Sequence, residues 1–340
     1  RRAVEQLLDT HRPHVVFHLA AQRDPGLAER QVIRTVHTNV VGTYIVADVA
    51  ERSGVECLVY ASTGKALRPW TPDIYAASKR MGEWVTSQVA ARGRMACSGV
   101  RFTHVVDNSI ALSRFRRWCK KGDVVRLHSP DTLFYAQSAL ESAQLMLTAL
   151  VEAARPQLRL CMIRDLGWPV SLLDLALGVI AETGGKSPLY VAGYEPGYEE
   201  MPYPGLYDPM LAGEVSPLIN AMEAPDAEGS LSPAVDVVPV APVPAEGLHR
   251  QLFDLEDRCV TGDETAVRKA FAEASWDLFV HTVQAASRTV VERIVRITQP
   301  HRDRLSREHL EMDNVFRRFA AAGSAAPSTG DPTRQMGLPC

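Results

Sequence analysis

The sequence contains no glycine-rich phosphate loop. Neither G-x-G-x-x-G nor G-x-x-G-x-x-G occurs in its 340 residues, although 22 of them are glycine. A loop of this kind binds the pyrophosphate of a dinucleotide at the N-terminus of a helix. Its absence excludes a complete dinucleotide-binding half within this sequence.

Other familiar signatures are missing as well. None of the six cysteines forms a C-x-x-C pair, and no cysteine–histidine spacing suits a metal, so we expect reduced thiols and no metal site. The 37 basic and 40 acidic residues give a net charge of −3, which argues against nucleic acid as a partner. No apolar run has the length of a transmembrane helix, and no signal peptide is visible. We therefore expect a cytoplasmic protein.

Apolar runs that alternate with amphipathic segments predict the fold class. The runs 15–17, 57–60 and 95–102 have the character of strands, and the segments 40–49 and 75–91 have the apolar spacing of helices. Strands that alternate with helices form a parallel, doubly wound sheet of the Rossmann-like α/β class. We expect the three strands to be parallel neighbours. Ligands bind at the carboxyl ends of such strands.

Tyr75 and Lys79 suggest the chemistry. They lie four residues apart in Y-A-A-S-K, after an apolar run that ends in Ser62 and Thr63. On a helix the two side chains share one face, and the ammonium lowers the pKa of the phenol. The phenolate can then take a proton from a sugar or alcohol hydroxyl while hydride passes to a nicotinamide. Alone, the Tyr–Lys spacing better fits an exposed pair on a helix. The neighbouring motifs are therefore needed to choose between that interpretation and a catalytic one.

Those motifs follow one another in a recognisable order. They are HVVFHLAA (14–21), RTVHTNVVGT (34–43), STGKA (62–66), IYAASKR (74–80), VRF (100–102), DLGWPV (165–170) and GYEPG (193–197). As a set they resemble the extended short-chain dehydrogenases. Within that family the resemblance is greatest to the nucleotide-sugar 4,6-dehydratases and epimerases of the polysaccharide-biosynthesis (CapD-like) group. It extends over residues 14–270.

The resemblance implies NAD or NADP as cofactor, a nucleotide-sugar as substrate, and a role for each matching residue. It assigns catalysis to Thr63, Tyr75, Lys79 and Lys65; cofactor binding to His18, Ala20, Ala21, Asn39, Ser62, Tyr75 and Lys79; and substrate binding to Arg101, His104 and Glu195. Lys65 fits an exposed loop lysine equally well. The family's glycine-rich loop precedes the first motif, so we expect an N-terminal truncation; the alternative is a natural form that has lost cofactor binding.

Three departures from the family pattern concern the reaction. Gly64 replaces the aspartate that protonates the leaving hydroxyl in the dehydratases, Thr103-His104 replace Gly-Asn, and Glu195 replaces an arginine that pairs with pyrophosphate. Loss of a general acid slows elimination by about 10²–10⁴-fold, whereas oxidation at C4 does not require that acid. We therefore predict an epimerase or oxidoreductase rather than an efficient dehydratase. The alternative is a catalytically degenerate family member that acts as a scaffold.

The predicted organisation has five parts. They are a partial dinucleotide-binding domain (1–105), a nucleotide-sugar lobe with returning sheet elements (106–224), a Pro-rich linker (225–247), a helical C-terminal region (248–319) and a disordered tail (320–340). The C-terminal helices are expected to pack or dimerise, so a homo-oligomer is predicted. Membrane attachment of a longer protein stays open, because relatives of this kind sometimes carry upstream membrane helices.

Overall fold

The computed structural model describes residues 1–107, 109–193, 214–240, 242–243 and 246–322. Strands and helices alternate through the first part of this chain, and helices alone make up its last part. The strands are β1 (Val15–His18), β2 (Cys57–Thr63), β3 (Ala96–Phe102), β4 (His104–Val105), β5 (Val125–Leu127), β6 (Leu133–Phe134), β7 (Ala136–Gln137), β8 (Leu158–Ile163), β9 (Val170–Ser171), β10 (Leu189–Val191), β11 (Glu228–Gly229) and β12 (Val235–Val240).

The helices cover both faces of the main sheet and continue beyond it. They are α1 (Arg2–His11), α2 (Pro25–Arg30), α3 (Val32–Val36), a π-helical turn (His37–Val41), α4 (Gly42–Arg52), a 3₁₀ turn (Gly64–Leu67), α5 (Ile74–Ala90), α6 (Ile110–Lys121), α7 (Ala139–Glu152), α8 (Leu172–Glu182), a 3₁₀ turn (Ala224–Asp226), α9 (Glu246–Thr261), α10 (Glu264–Ala285), α11 (Arg288–Thr298), a 3₁₀ turn (Gln299–Arg304) and α12 (Arg307–Ala322).

The main sheet has six strands in the order β1-β2-β3-β8-β12-β11. The first four are parallel, which confirms the predicted Rossmann-like class and the three predicted neighbours. Leu58 and Val59 of β2 are fully buried, as expected for a parallel sheet that is covered on both faces. The register pairs Thr63 with Phe102, so β2 and β3 end at the same edge.

The Pro-rich segment predicted as a linker differs from that prediction. Its residues 235–240 form β12, which pairs antiparallel with β8 along its whole length. Val237 and Val238 are buried in the sheet, so burial of valine outweighs the turn preference of the neighbouring prolines. Pro239 is tolerated because β11 pairs with β12 only at Asp236 and Val237, and proline is accepted where the edge of a strand is open.

A second lobe is built from α6, α8 and the parallel pair of β5 with β10. Phe115, Val125, Leu127 and Ala176 form its own apolar cluster. β8 returns from this part of the chain to the main sheet. The lobe and the carboxyl ends of β1–β3 together line one cleft.

The C-terminal helices pack against the first half of the chain, as the predicted helical region implies. Phe279, Met312 and Phe316 belong to an apolar cluster that also contains Met222 and the ring of Trp70. Among the helices within the described ranges, none is both long and apolar enough to cross a bilayer.

Candidate functional site

The cleft has a volume of about 1150 Å³. The sheet contributes the ends of β1 and β2 and the start of α5, and the second lobe contributes α6 and β5. Four predicted catalytic residues, Thr63, Lys65, Tyr75 and Lys79, line it together. Their common location follows from the parallel topology, because the loops after parallel strands meet at one edge of the sheet.

Tyr75 lies in the first turn of α5. The turn is capped by Asp73, whose Oδ1 accepts the Ala76 N–H at 2.8 Å. Burial raises the pKa of Tyr75, while a hydrogen bond with Thr63 and the charge of Lys65 lower it. The raised pKa leaves the phenol neutral at pH 7, ready to donate a proton. Removal of a substrate proton requires further positive charge beside the phenol.

Lys79 lines the cleft with Tyr75, and its ammonium is held near the end of β2. Its Nζ donates to the Ala61 carbonyl at 2.6 Å and lies 4.4 Å from the centre of the Tyr60 ring. Burial lowers the pKa of Lys79 to about 7, and the Glu83 carboxylate opposes that effect. Lys79 was predicted to lower the pKa of Tyr75; in the structure, a lysine that does so is Lys65. The reason is that the carbonyl at the end of β2 holds the Lys79 ammonium.

Two predicted cofactor ligands are buried inside the protein. His18 Nε2 lies 3.0 Å from Thr43 Oγ1, and burial together with the charge of Lys79 lowers the pKa of His18 to about 4. Asn39 Nδ2 donates to the Gln22 carbonyl at 3.0 Å, and Asn39 Oδ1 accepts the Gln22 N–H at 2.8 Å. Neither side chain lines the cleft. Asn39 holds the turn after β1 in place, and His18 joins β1 to α4.

The remaining predicted cofactor residues lie at the strand ends. Ala20 is exposed, and Ala21 lines the cleft beside Leu19. Ser62 also lines it, but its Oγ donates to Glu83 Oε1 at 2.6 Å. Leu19 and Ala21 give the cleft an apolar surface at the end of β1.

Arg101 does not reach the cleft, and its assignment to substrate binding was wrong. The side chain is fully buried and donates to both oxygens of Glu83 at 2.9 Å and to both oxygens of Glu223 at 2.6 and 2.8 Å. Its Nη1 also donates to the Leu218 carbonyl at 2.9 Å. Arg80 bonds the same two carboxylates. A guanidinium with these partners holds the protein together and cannot bind a ligand as well.

The other two predicted substrate residues have different outcomes. His104 lines the cleft, where its ring lies 4.5 Å from that of Phe134 and its Nε2 lies 3.4 Å from Ser109 Oγ. Glu195 lies outside the described residues. The predicted roles of the cleft residues stay predictions.

The cleft is strongly basic, which the sequence analysis missed. Among the residues that the structure describes, seven lysines and arginines line it against one aspartate, Asp24, which is paired with Arg114. The basic residues are Arg23, Arg30, Lys65, Lys79, Arg114, Arg117 and Arg126. The run R-F-R-R (114–117) of α6 is visible in the sequence of this chain of net charge −3. The sequence does not show that its arginines share a cleft with Lys65.

Comparison with known proteins supports a family relationship. A family model described as "Polysaccharide biosynthesis protein" matches residues 1–202. The probable polysaccharide biosynthesis protein EpsC of Bacillus subtilis (strain 168) is 30% identical over 202 residues, which cover 57% of this chain and 33% of EpsC. The capsular polysaccharide biosynthesis protein CapD of Staphylococcus aureus is 28% identical over 204 residues, which cover 58% of this chain and 33% of CapD. The chain thus spans one third of the length of these relatives.

Solved structures share the fold. Pen from Bacillus thuringiensis superposes with a TM-score of 0.58 at 20% identity and covers 71% of this chain and 69% of its own. The UDP-glucose 4-epimerase of Thermus thermophilus, solved in complex with NAD, has a TM-score of 0.50 at 20% identity. The match covers 59% of this chain and 72% of the epimerase chain. At these identities the likeness concerns the fold alone.

Proposed function

This chain belongs to the polysaccharide biosynthesis protein family, and we propose that it binds a nucleotide-activated sugar in the basic cleft and oxidises it at C4 with NAD or NADP. The observation that carries the proposal is the charge of the cleft beside Tyr75 and Thr63. Within the described part of the chain, six lysine and arginine side chains besides Lys79, whose pKa is lowered to about 7, line the cleft against one aspartate. This excess of positive charge favours an anionic ligand, whereas the whole chain has a net charge of −3. A nucleoside diphosphate sugar brings two negative phosphates and a neutral hydroxyl-bearing ring, which matches a cleft with a basic side and a Tyr–Thr pair.

The arginines of the second lobe are the proposed diphosphate ligands. Arg114 and Arg117 lie on α6, and Arg126 lies on β5. Guanidinium groups bind phosphate oxygens in a bidentate manner, and these bonds are stronger than neutral ones. They supply the positive charge that the sequence lacks at Glu195, which stands in place of the family's arginine.

Tyr75 and Thr63 are the proposed proton-transfer pair. When bound, the nicotinamide supplies the acceptor for the hydride that leaves C4. In the oxidation, Tyr75 Oη would accept the proton of the C4 hydroxyl as the phenolate, and in the reduction the resulting phenol would return that proton. Burial raises the pKa of Tyr75, and the Thr63 hydrogen bond and the charge of Lys65 oppose that effect. In the chain without a ligand, the protonated phenol is therefore the form that donates a proton in the reduction.

Gly64 favours oxidation or epimerisation over elimination. A Cβ at this position would lie 2.8 Å from Leu218 Cδ2 and 3.3 Å from the Phe102 carbonyl. Leu218 lines the cleft and occupies the space that an acidic side chain at position 64 would need. The cleft therefore has an apolar side chain where the dehydratases carry their general acid.

The test is turnover by the full-length protein with NAD or NADP. UDP-, GDP- and dTDP-hexoses are offered in turn, and the products are identified by mass and by sugar analysis. We expect C4 oxidation or epimerisation of one of them and its abolition in Tyr75→Phe. Tyr190→Phe removes an exposed phenol and serves as the matched control with unchanged turnover. Rapid loss of water from a substrate would refute the argument from Gly64. No turnover of any sugar would instead favour the scaffold function.

A further inference from the structure

The first turn of α5, which carries Tyr75, is held by a helix from the other end of the chain. The Ile74 N–H donates to Glu29 Oε1 at 2.8 Å. Glu29 Oε2 in turn accepts from Arg268 Nη1 at 2.7 Å, and Arg268 also donates to the Glu29 carbonyl. Arg268 lies on α10, more than 190 residues after Tyr75 in the sequence. The N–H groups of a first helical turn have no partner within the helix, so Glu29 satisfies one that α5 cannot satisfy itself.

Arg268 supplies a cationic partner to the Glu29 carboxylate. Its side chain is only 5% exposed. Burial raises the pKa of Glu29, and the hydrogen bond and charge of Arg268 oppose that effect. A buried carboxylate without a cation takes up a proton or moves toward water. In either case the acceptor for the Ile74 N–H weakens.

A second set of contacts joins the C-terminal helices to the same stretch of chain. Thr71 Oγ1 donates to Glu308 Oε2 of α12 at 3.3 Å. The Trp70 ring packs edge-on against the Trp276 ring of α10, with centres 4.8 Å apart. These contacts hold the loop that leads from Lys65 to Tyr75.

We propose that Arg268 is a positioning residue: by holding Glu29 against the Ile74 N–H, it fixes the first turn of α5 and with it the Tyr75 phenol against Thr63. The proposal rests on the proposed function for its effect on turnover. It extends the active site to α10, which lies beyond the residues 1–202 that the family model matches. The C-terminal helices are thereby part of the catalytic geometry.

The geometry predicts how turnover changes. Displacement of a catalytic group by about 1 Å lowers rates by on the order of 10²-fold. Arg268→Ala is therefore expected to lower kcat by about 10- to 100-fold and to leave KM within about twofold, because the proposed diphosphate ligands on α6 and β5 are untouched. Arg268→Lys retains the charge and should retain most of kcat. Adding Glu29→Gln to Arg268→Ala removes the unpaired charge, retains an oxygen for Ile74, and should restore part of kcat.

The matched control is Arg258→Ala. Arg258 pairs with Asp254 at 2.6 Å on the exposed surface of α9, so its loss tests the general cost of removing an arginine pair from these helices. Kinetics are measured on full-length protein whose fold is checked by circular dichroism. We expect Arg258→Ala to leave kcat, KM and the pH profile of kcat unchanged.

A second readout does not depend on turnover. Protein labelled with ¹³Cζ-tyrosine is followed by NMR, and the Tyr75 signal is assigned as the one missing in Tyr75→Phe. Arg268→Ala should shift this signal and change its titration at high pH, and the double variant should reverse part of the change. An unmoved signal with unchanged kcat in Arg268→Ala would overturn the positioning role. A moved signal in a protein that turns over no sugar would support the positioning role and refute the proposed function.

Discussion

Arg101→Leu provides the sharpest test of how the residues behind the cleft are arranged. The structure places the Arg101 guanidinium between Glu83 and Glu223, with none of its side chain exposed. Leucine retains apolar volume at this position in β3 and removes all of the charged hydrogen bonds. Two buried carboxylates then share Arg80, whose side chain is 16% exposed.

The expected cost follows from that burial. Removing one partner of a buried ion pair destabilises a protein by about 3–5 kcal/mol, because the other charge is left without compensation. Arg80 remains 3.1 Å from Glu83 and 2.8 Å from Glu223, so we expect the lower part of this range, about 3 kcal/mol. Arg94→Leu is the matched control. Arg94 is 65% exposed and pairs with Glu51 at 3.1 Å, and loss of such a pair costs at most about 1 kcal/mol.

The assay is urea unfolding of the three proteins at pH 7, followed by circular dichroism, with the free energy extrapolated to water. A loss near 3 kcal/mol in Arg101→Leu only would support the buried network. Equal stability of Arg101→Leu and the parent, together with weaker binding of nucleotide sugars, would refute this reasoning. It would restore Arg101 to the substrate-binding role that the sequence suggested.

Two further predictions concern pH and the cleft wall. Burial lowers the pKa of His18 to about 4 in the folded chain, against an ordinary value of 6.5, so the unfolded chain binds an extra proton between these pH values. The free energy of unfolding should therefore fall by on the order of 3 kcal/mol from about pH 6.5 to about pH 4. Urea unfolding should show a smaller fall with pH in His18→Gln, and an equal fall in both proteins would contradict this prediction. Gly64→Asp should lower the thermal midpoint of unfolding, because a Cβ at position 64 meets Leu218 Cδ2 at 2.8 Å. The double variant Gly64→Asp/Leu218→Ala should be more stable than the sum of the two single changes predicts. Strictly additive changes in stability would refute the contact.

The fold was predictable where apolar periodicity decided the structure. The runs that became β1, β2 and β3 are apolar and bounded by turns, and their parallel order follows from the intervening helices. The run 235–240 was predicted as part of a linker because prolines surround it. Its incorporation as β12 depends on pairing with β8, a tertiary contact that no local pattern shows.

The candidate site was predictable only in its local part. Tyr75 and Thr63 belong to short motifs whose spacing fixes their position, so their common cleft could be expected. The pairing of Arg101 with Glu223 could not be predicted, because Glu223 lies 122 positions away in the sequence and no local pattern links the two residues. The same limit applies to Arg268, which acts on Ile74 through Glu29 from a helix without local motifs. The basic side of the cleft likewise depends on how α6 and β5 pack together.

Calorimetric titration of UDP-, GDP- and dTDP-hexoses into the full-length protein measures whether the basic cleft binds a nucleotide sugar. The variant for comparison is Arg117→Ala/Arg126→Ala, with the surface variant Arg258→Ala as control. Hydrogen bonds to charged groups contribute about 1.5–3 kcal/mol each, so the double variant should bind at least about tenfold more weakly, and higher salt should weaken binding by the parent. Arg258→Ala should bind like the parent. Absence of binding by the parent, or equal affinity in the parent and the double variant, would contradict the account.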